Sequence, residues 1–444
     1  MKNLQDTAEF TVNNFDEAKN LFAEFDATTH FVKVAADDIR FAVIVENETD
    51  AAKAVIIPGN VDNGYGYTNR YNQVERMDMN LMTDGLKNEV ASTGVFMEVP
   101  GLGFVPMSPN AVSDMQNFVG LRGEGVESHC PEEMELIYRL IQNKLPEFCY
   151  NRNGGGFMKL DKGSSLRDKH GRVKNFEFTV MYREDPDTGV KKIFACRTGK
   201  YRPIEQKEIC KVIDAIQMFG TPEMQKAEAT HFMTAVYEIY PEVGEQFAKA
   251  FNLNDKKVIP GFKIRTSDTG DSSFCIERYL YFDDKGSYRF GAVLPSDDGE
   301  RSRLAVYHYG KEKDLETLRR IVNNDMFTTF KKYPQRIAAL TAMGDINVKD
   351  GLTLAFQAMK LRKTGSVLSE EKEKTIVEEL ANTFGAETAP AYFVAMAAVT
   401  ASENTQLSLS VNQREGLRAR ALMVFNANFN DLAVGGVVNA AQLA

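Results

Sequence analysis

The spacing of apolar and polar residues changes twice along the chain and predicts three parts. Through about residue 150, short alternating apolar runs such as FVKVAADDIRFAVIV read as strands, and they are broken by the Gly/Asn/Tyr-rich loop PGNVDNGYGYTNRYN from Pro58 to Asn72. A helical pattern starts at Ser108, a suitable N-cap followed by Pro109, with Ala111, Met115, Phe118 and Val119 at helical spacing. A second helix is expected from Glu132 to Asn143.

In the middle part, residues 151–336, the pattern Phe176, Phe178, Val180, Tyr182 has a period of two. The turn sequence Asp185-Pro-Asp-Thr-Gly189 follows, and Lys191 to Arg197 returns as a partner strand. Pro203 opens an expected helix through Ile204, Ile209, Val212, Ile213 and Ile216 that ends at Gly220, and a further helix is predicted from about Pro222 to Tyr240. A three-stranded meander is expected next: Phe274 to Phe282, Ser287 to Leu294 and Arg301 to Tyr309, joined by DDKG and SDDG turns, with a charged helix from Lys311 to about Phe330.

Residues 337–444 are rich in Ala, Leu and Met, show no convincing strand, and read as a helical domain in which SEEKEKTIVEEL is a solvated amphipathic helix. The predicted fold class is α+β: an acidic mixed segment (1–150), a basic hairpin-helix-meander core (151–336) and a C-terminal all-helical domain (337–444).

Charge sharpens this division. The net charge of −9 is unevenly spread: residues 1–150 hold 11 Lys/Arg against 24 Asp/Glu, residues 151–336 hold 33 against 27, and residues 337–444 hold 9 against 11. An acidic chain is a poor indiscriminate binder of phosphate polymers, but a middle segment of opposite sign keeps such binding open. With 43% hydrophobic residues, 29 Phe and 16 Tyr, the chain has material for a sizeable core. No run approaches the roughly 18 apolar residues that span a bilayer, and MKNLQDTAEF lacks the basic and apolar regions of a signal peptide, so a cytoplasmic location without membrane contact is expected. Cys130, Cys149, Cys196, Cys210 and Cys275 are scattered and odd in number, which indicates reduced, mostly buried thiols.

No familiar catalytic signature emerges. His30, His129, His170, His231 and His308 are isolated, without an HExxH spacing. Asp268 and Asp271 flank Gly270, and Asp283-Asp284 and Asp297-Asp298 sit at expected hairpin tips; they are weak Mg²⁺ candidates, since Asp at such tips usually caps the turn. Asn153-Gly154-Gly155-Gly156 lacks the GK[ST] of a phosphate-binding loop, and a single DTG lacks the second copy of an aspartic protease. Nothing in these motifs implies a cofactor.

Basic and aromatic residues interleave on the expected meander. Arg301, Arg303 and Tyr307 share one face of its third strand, Arg289 lies on the neighbouring strand, and Tyr279 and Tyr281 alternate on the first. Arg and Tyr on a sheet face can hold phosphates by charge and stack unpaired bases, although a solvated sheet uses the same residue types.

Four segments, SPNAVSDMQNFVGL, YRLIQNKLPEF, IFACRTGKYRPIEQKEICKVIDAI and VIPGFKIRTSDTGDSSFCI, resemble phage/plasmid-like proteins of the domain of unknown function 932. Their pattern of an Arg-rich strand, a Tyr and an apolar residue three later before a helix is matched by Arg197, Tyr201 and Ile204, and their Ser-Asp-x-Gly stretch by Ser267, Asp268 and Gly270. The Cys-Asn-Gly-like element that often follows is replaced here by YLYFDDKG. The resemblance implies a mobile-element origin and a host-cytoplasmic location, with no established activity.

Together these readings favour a phage- or plasmid-derived protein associated with single-stranded nucleic acid, in annealing or as a replication accessory, through Arg289, Arg301, Arg303, Tyr279, Tyr281, Tyr307, Arg197 and Tyr201. A self-assembling homo-oligomer, in which acidic and basic segments of neighbouring copies pair, is the alternative. A metal-dependent enzyme built on Asp268 and Asp271 comes third.

Overall fold

The computed structural model describes residues 3–47, 51–57, 74–78, 90–119, 131–142, 148–151, 156–159, 177–199, 201–215, 221–244, 257–269, 274–284, 288–293, 303–306, 345–347, 375 and 388–390. Along the chain the first elements are β1 (Glu9–Val12), α1 (Phe15–Thr28), β2 (Thr29–Ala35), β3 (Phe41–Asn47), β4 (Ala51–Ile57), β5 (Val74–Asp78), β6 (Val95–Val99) and β7 (Gly103–Pro106). Next come α2 (Pro109–Phe118), α3 (Pro131–Gln142), β8 (Phe148–Asn151), β9 (Gly156–Lys159), β10 (Glu177–Glu184), β11 (Lys191–Thr198) and α4 (Lys207–Ala215). The last are β12 (Glu223–Thr230), β13 (Thr234–Ile239), β14 (Lys257–Thr266), β15 (Phe274–Asp284), β16 (Tyr288–Val293), β17 (Arg303–Val306), β18 (Asp345–Asn347) and β19 (Thr388–Pro390). The fold is therefore mixed α and β.

Local chemistry sets the helix starts. Asn14 is extended and its side chain accepts from the Glu17 amide at 2.8 Å, which caps α1, while Asp16 and Glu17 complement the positive end of the helix. Ala18, Phe22 and Phe25 then fall on the buried face. Ser108 caps α2 by accepting from the Ala111 amide at 3.1 Å, with Pro109 in the first turn, as the sequence predicts.

The main core lies between two sheets and two helices. A three-stranded sheet (β11-β10-β2) and a five-stranded sheet (β5-β4-β3-β6-β7) supply Val34, Phe41, Val43, Val95, Met97, Phe178, Val180 and Ile193. Ala111, Val112 and Met115 of α2 and Met134, Ile137 and Ile141 of α3 pack against them. The predicted hairpin is present. Asp185 Oδ1 accepts from the amides of Asp187 and Thr188, and Gly189 takes φ 68°, a left-handed value that glycine adopts without steric cost.

A seven-stranded antiparallel sheet runs β1-β12-β13-β14-β15-β16, with β17 also paired to β15. It corrects two expectations. The helix predicted from Pro222 to Tyr240 is instead the hairpin β12–β13: every residue of β13 is buried, Glu238 and Thr234 included, so no exposed polar stripe marks a period of two. The three-stranded meander is also revised, because β17 returns to β15 rather than to β16. β15 has 11 residues, β16 pairs with Tyr279–Asp284, and β17 takes the free stretch Phe274–Glu277.

β1 pairs with β12 and β2 with β10, so two of the sheets draw strands from both sides of residue 150. In residues 337–444 the described residues are 345–347, 375 and 388–390, with β18 and β19 paired antiparallel. The rest of that expected domain, the loop from Pro58 to Asn72 and the helix from Lys311 lie outside the described residues. Among the described residues no helix is long and apolar enough to cross a membrane.

Candidate nucleic-acid interface

The register of the large sheet lines up a row of unlike side chains on one face. Lys226 of β12 lies opposite Tyr237 of β13, Tyr237 opposite Lys263 of β14, Lys263 opposite Glu277 of β15, and Glu277 opposite position 303 of β17. Neighbouring strands lie about 4.8 Å apart, so the row runs about 19 Å across the sheet. The adjoining rows on this face bring Glu228, Ala235, Arg265 and Cys275 together on one side, and Ile239, Gly261 and Tyr279 on the other.

Charge and ring surface alternate along the row. The Lys226 ammonium is 5.2 Å and the Lys263 ammonium 5.5 Å from the Tyr237 ring centroid, and the Tyr237 and Tyr279 rings are 5.4 Å apart. Acidic neighbours answer the cations: Lys226 pairs with Glu228 at 3.1 Å, while Glu277 receives Arg265 at 3.1 Å and Lys263 at 3.8 Å. Tyr237 (1% exposed), Lys263 (2%) and Tyr279 (6%) are covered, whereas Tyr281 is half-buried beside them. The inner rings are thus packing surfaces, and Tyr281 is the more accessible ring of this face.

Those outer strands carry two of the arginines singled out from sequence. Arg289 of β16 is in register with Asp283, and Arg303 of β17 with Glu277, which sets both positions on the face of Tyr279 and Tyr281. Arg301 and Tyr307 lie outside the described residues. Arg197 and Tyr201 belong elsewhere. Arg197 pairs with Asp114 at 3.0 Å, and the same carboxylate accepts from the Cys196 amide at 2.9 Å, fastening β11 to α2.

Tyr201 is buried and belongs to a second polar cluster. Its hydroxyl donates to Asp268 Oδ1 at 2.8 Å, and Gln206 Nε2 donates to Asp268 Oδ2 at 3.3 Å. Asp268 and Asp26 also favour the charge of Arg183, whose guanidinium lies 4.2 Å over the Phe25 ring and donates to the His231 carbonyl at 3.3 Å. Burial pulls Arg183 down to about 9, which leaves it protonated at neutral pH. Asp26 accepts from the amides of Gln206 and Lys207 at the start of α4, and burial nevertheless pushes its carboxyl up.

Metal chemistry finds no assembly here. Asp268 is engaged by two side-chain donors, Asp271 lies outside the described residues, and among the described residues no group of three His, Cys, Asp or Glu side chains converges. His231 is buried beneath Arg183 and stacked 4.2 Å from Phe194; desolvation, then the Arg183 charge, hold its imidazole well below the usual range and therefore neutral. His30 lies 5.0 Å from the Tyr182 ring. Burial pushes the Cys196 thiol up, out of the range where it would act as a nucleophile.

Compared with family models, curated proteins and solved structures, the chain has no match.

Proposed function

We propose that the chain associates with single-stranded nucleic acid along the outer edge of the large sheet, as an accessory to annealing or replication in a phage- or plasmid-derived system. The observation that carries this reading is the register that puts Arg289 and Arg303 on one face with Tyr281 and ends the Lys226–Tyr237–Lys263–Glu277 row on an arginine. Arginine holds phosphate by charge, and a partly open tyrosine offers a ring to an unstacked base. The basic excess of residues 151–336, 33 Lys/Arg against 27 Asp/Glu, supports the same assignment. Glu277 and Asp283, opposite the two arginines, tune the face toward moderate, salt-sensitive binding.

Fluorescence anisotropy with a labelled single-stranded oligonucleotide tests it. Binding at about 50 mM salt should weaken steeply toward about 200 mM, and Arg289→Glu and Arg303→Glu should each lower the salt slope by about one. An absence of binding at low salt removes the reading.

Self-association is a second reading, carried by the opposite charge of residues 1–150 and 151–336. Light scattering at micromolar concentration tests it, and a monomeric mass counts against it.

A further inference from the structure

Residues 3–12 form an arm held by side chains of its first half and by a backbone ladder along β1. The Leu4 side chain is 2% exposed and enters a pocket of Val90, Met181, Val190, Phe194 and Ala195. Asp6 Oδ2 accepts from Lys192 Nζ at 2.9 Å and from Ser92 Oγ at 2.7 Å. The Asn3 carbonyl meets His231 Nε2 at 2.8 Å, and with the ring neutral this nitrogen donates. Further along, β1 adds four residue pairs to β12, and Phe10 packs edge-on to Phe25.

The slot is built for such a segment. Lys192 is fully buried, its ammonium lies 5.7 Å from the Phe194 ring centroid, and Asp6 is 19% exposed above it. The arm carries Asp6 and Glu9 and no Lys or Arg, while the slot presents the Lys192 ammonium to Asp6 and the His231 ring to the Asn3 carbonyl. An apolar residue followed two positions later by a carboxylate therefore meets a pocket and a cation at matching spacing.

The arm is also separable. Among the described residues β1 ends the strand order of the large sheet and pairs only with β12, so its departure breaks one described ladder. Asn13 and Asn14 alone connect it to α1, and Asn14 is extended at φ −141°, ψ 156°. A two-residue link between a docked arm and a capped helix is the setting in which identical elements exchange between copies, because every contact is reproduced in the exchanged form.

We propose that this slot accepts the Asn3–Val12 arm of a second copy, so that two chains exchange arms through the Leu4 pocket and the Asp6–Lys192 pair. The inference rests on the self-association reading and names its contact: the acidic arm of one copy seats on the basic middle segment of the other.

A zero-length carbodiimide, which joins a carboxylate and an amine in direct contact, is the test on the full chain. Equal amounts of ¹⁵N-labelled and unlabelled protein are incubated together at high concentration, cross-linked, digested and analysed by mass spectrometry for the Asp6–Lys192 peptide pair. Arm exchange gives mixed-label pairs that rise toward about half of that product, the statistical share for an exchanged dimer. Same-label pairs alone overturn the proposal. If light scattering nevertheless shows an oligomer, self-association stands through another surface. Absence of the Asp6–Lys192 product also overturns it, since that contact is its premise.

Discussion

The Tyr201 hydroxyl donates to Asp268 across 2.8 Å and joins the approach to α4 to the end of β14. Both residues are buried, and Gln206 is the second side-chain donor to the same carboxylate. Tyr201→Phe removes one donor from a buried charged acceptor and is expected to cost about 1–3 kcal/mol, read from the urea midpoint with the m-value unchanged. An unchanged midpoint would show that water replaces the hydroxyl there.

Glu238 gives the clearest pH signature. It is wholly buried on β13, accepts from the Tyr240 hydroxyl at 3.0 Å, and its second carboxylate oxygen has no hydrogen-bond partner. Burial, with a smaller repulsive contribution from Asp214, pushes its carboxyl up to about 8. A raised folded-state value means that its stabilisation is complete below the unfolded value near 4.5 and is lost as pH rises through about 8. Glu238→Gln is therefore expected to change the unfolding free energy little at pH 4.5 and to raise it at pH 9 by an amount on the order of a few kcal/mol, read from thermal melts at the two pH values. An equal shift at both pH values would contradict the assignment.

Gly261 tests the packing of the large sheet. A Cβ there would stand 1.9 Å from the Glu238 carbonyl oxygen, a backbone atom that cannot move away without separating β13 from β14. Gly261→Ala is expected to destabilise by at least about 2 kcal/mol, by analogy with overpacked cores, and to expose Tyr279 to solvent. Tyrosine fluorescence and chemical denaturation measure the two effects.

The Asp6–Lys192 pair predicts an asymmetry between single and double substitution. Asp6→Ala leaves a fully buried ammonium without this carboxylate and is expected to cost on the order of 3 kcal/mol, whereas Asp6→Ala combined with Lys192→Met restores much of that loss. Thermal melts of the two single variants and the double variant close the cycle.

Much of the fold can be read from short-range chemistry. Ser108-Pro109 marks a helix start, and Asp185 to Gly189 marks a turn, because in each case the groups that make the contact lie within a few residues. Helix α1 carries comparable marks in Asn14, Ala18, Phe22 and Phe25, but the strong alternation that follows it draws the eye to strands. β12 and β13 are illegible for different reasons: β13 is buried on both faces and shows no exposed polar stripe, and in β12 a register shift between Met224 and Lys226 interrupts the alternation. The candidate interface divides in the same way. The alternation of Tyr279 and Tyr281 lies within one strand, while the row from Lys226 to Arg303 exists only after five strands have paired. Arg197 and Tyr201 look basic and aromatic in sequence, yet Asp114 and Asp268 engage them, partners far away along the chain.

The pairing of β16 and β17 end to end along β15 bears on solubility. β17 covers Phe274–Glu277 and β16 covers Tyr279–Asp284, so the break between them falls at Arg278. Among the described residues this edge of the sheet is thus two short strands of four and six residues in place of one long one. Such an interruption denies a growing fibril the continuous template it needs, and it guards the side of the sheet opposite the arm.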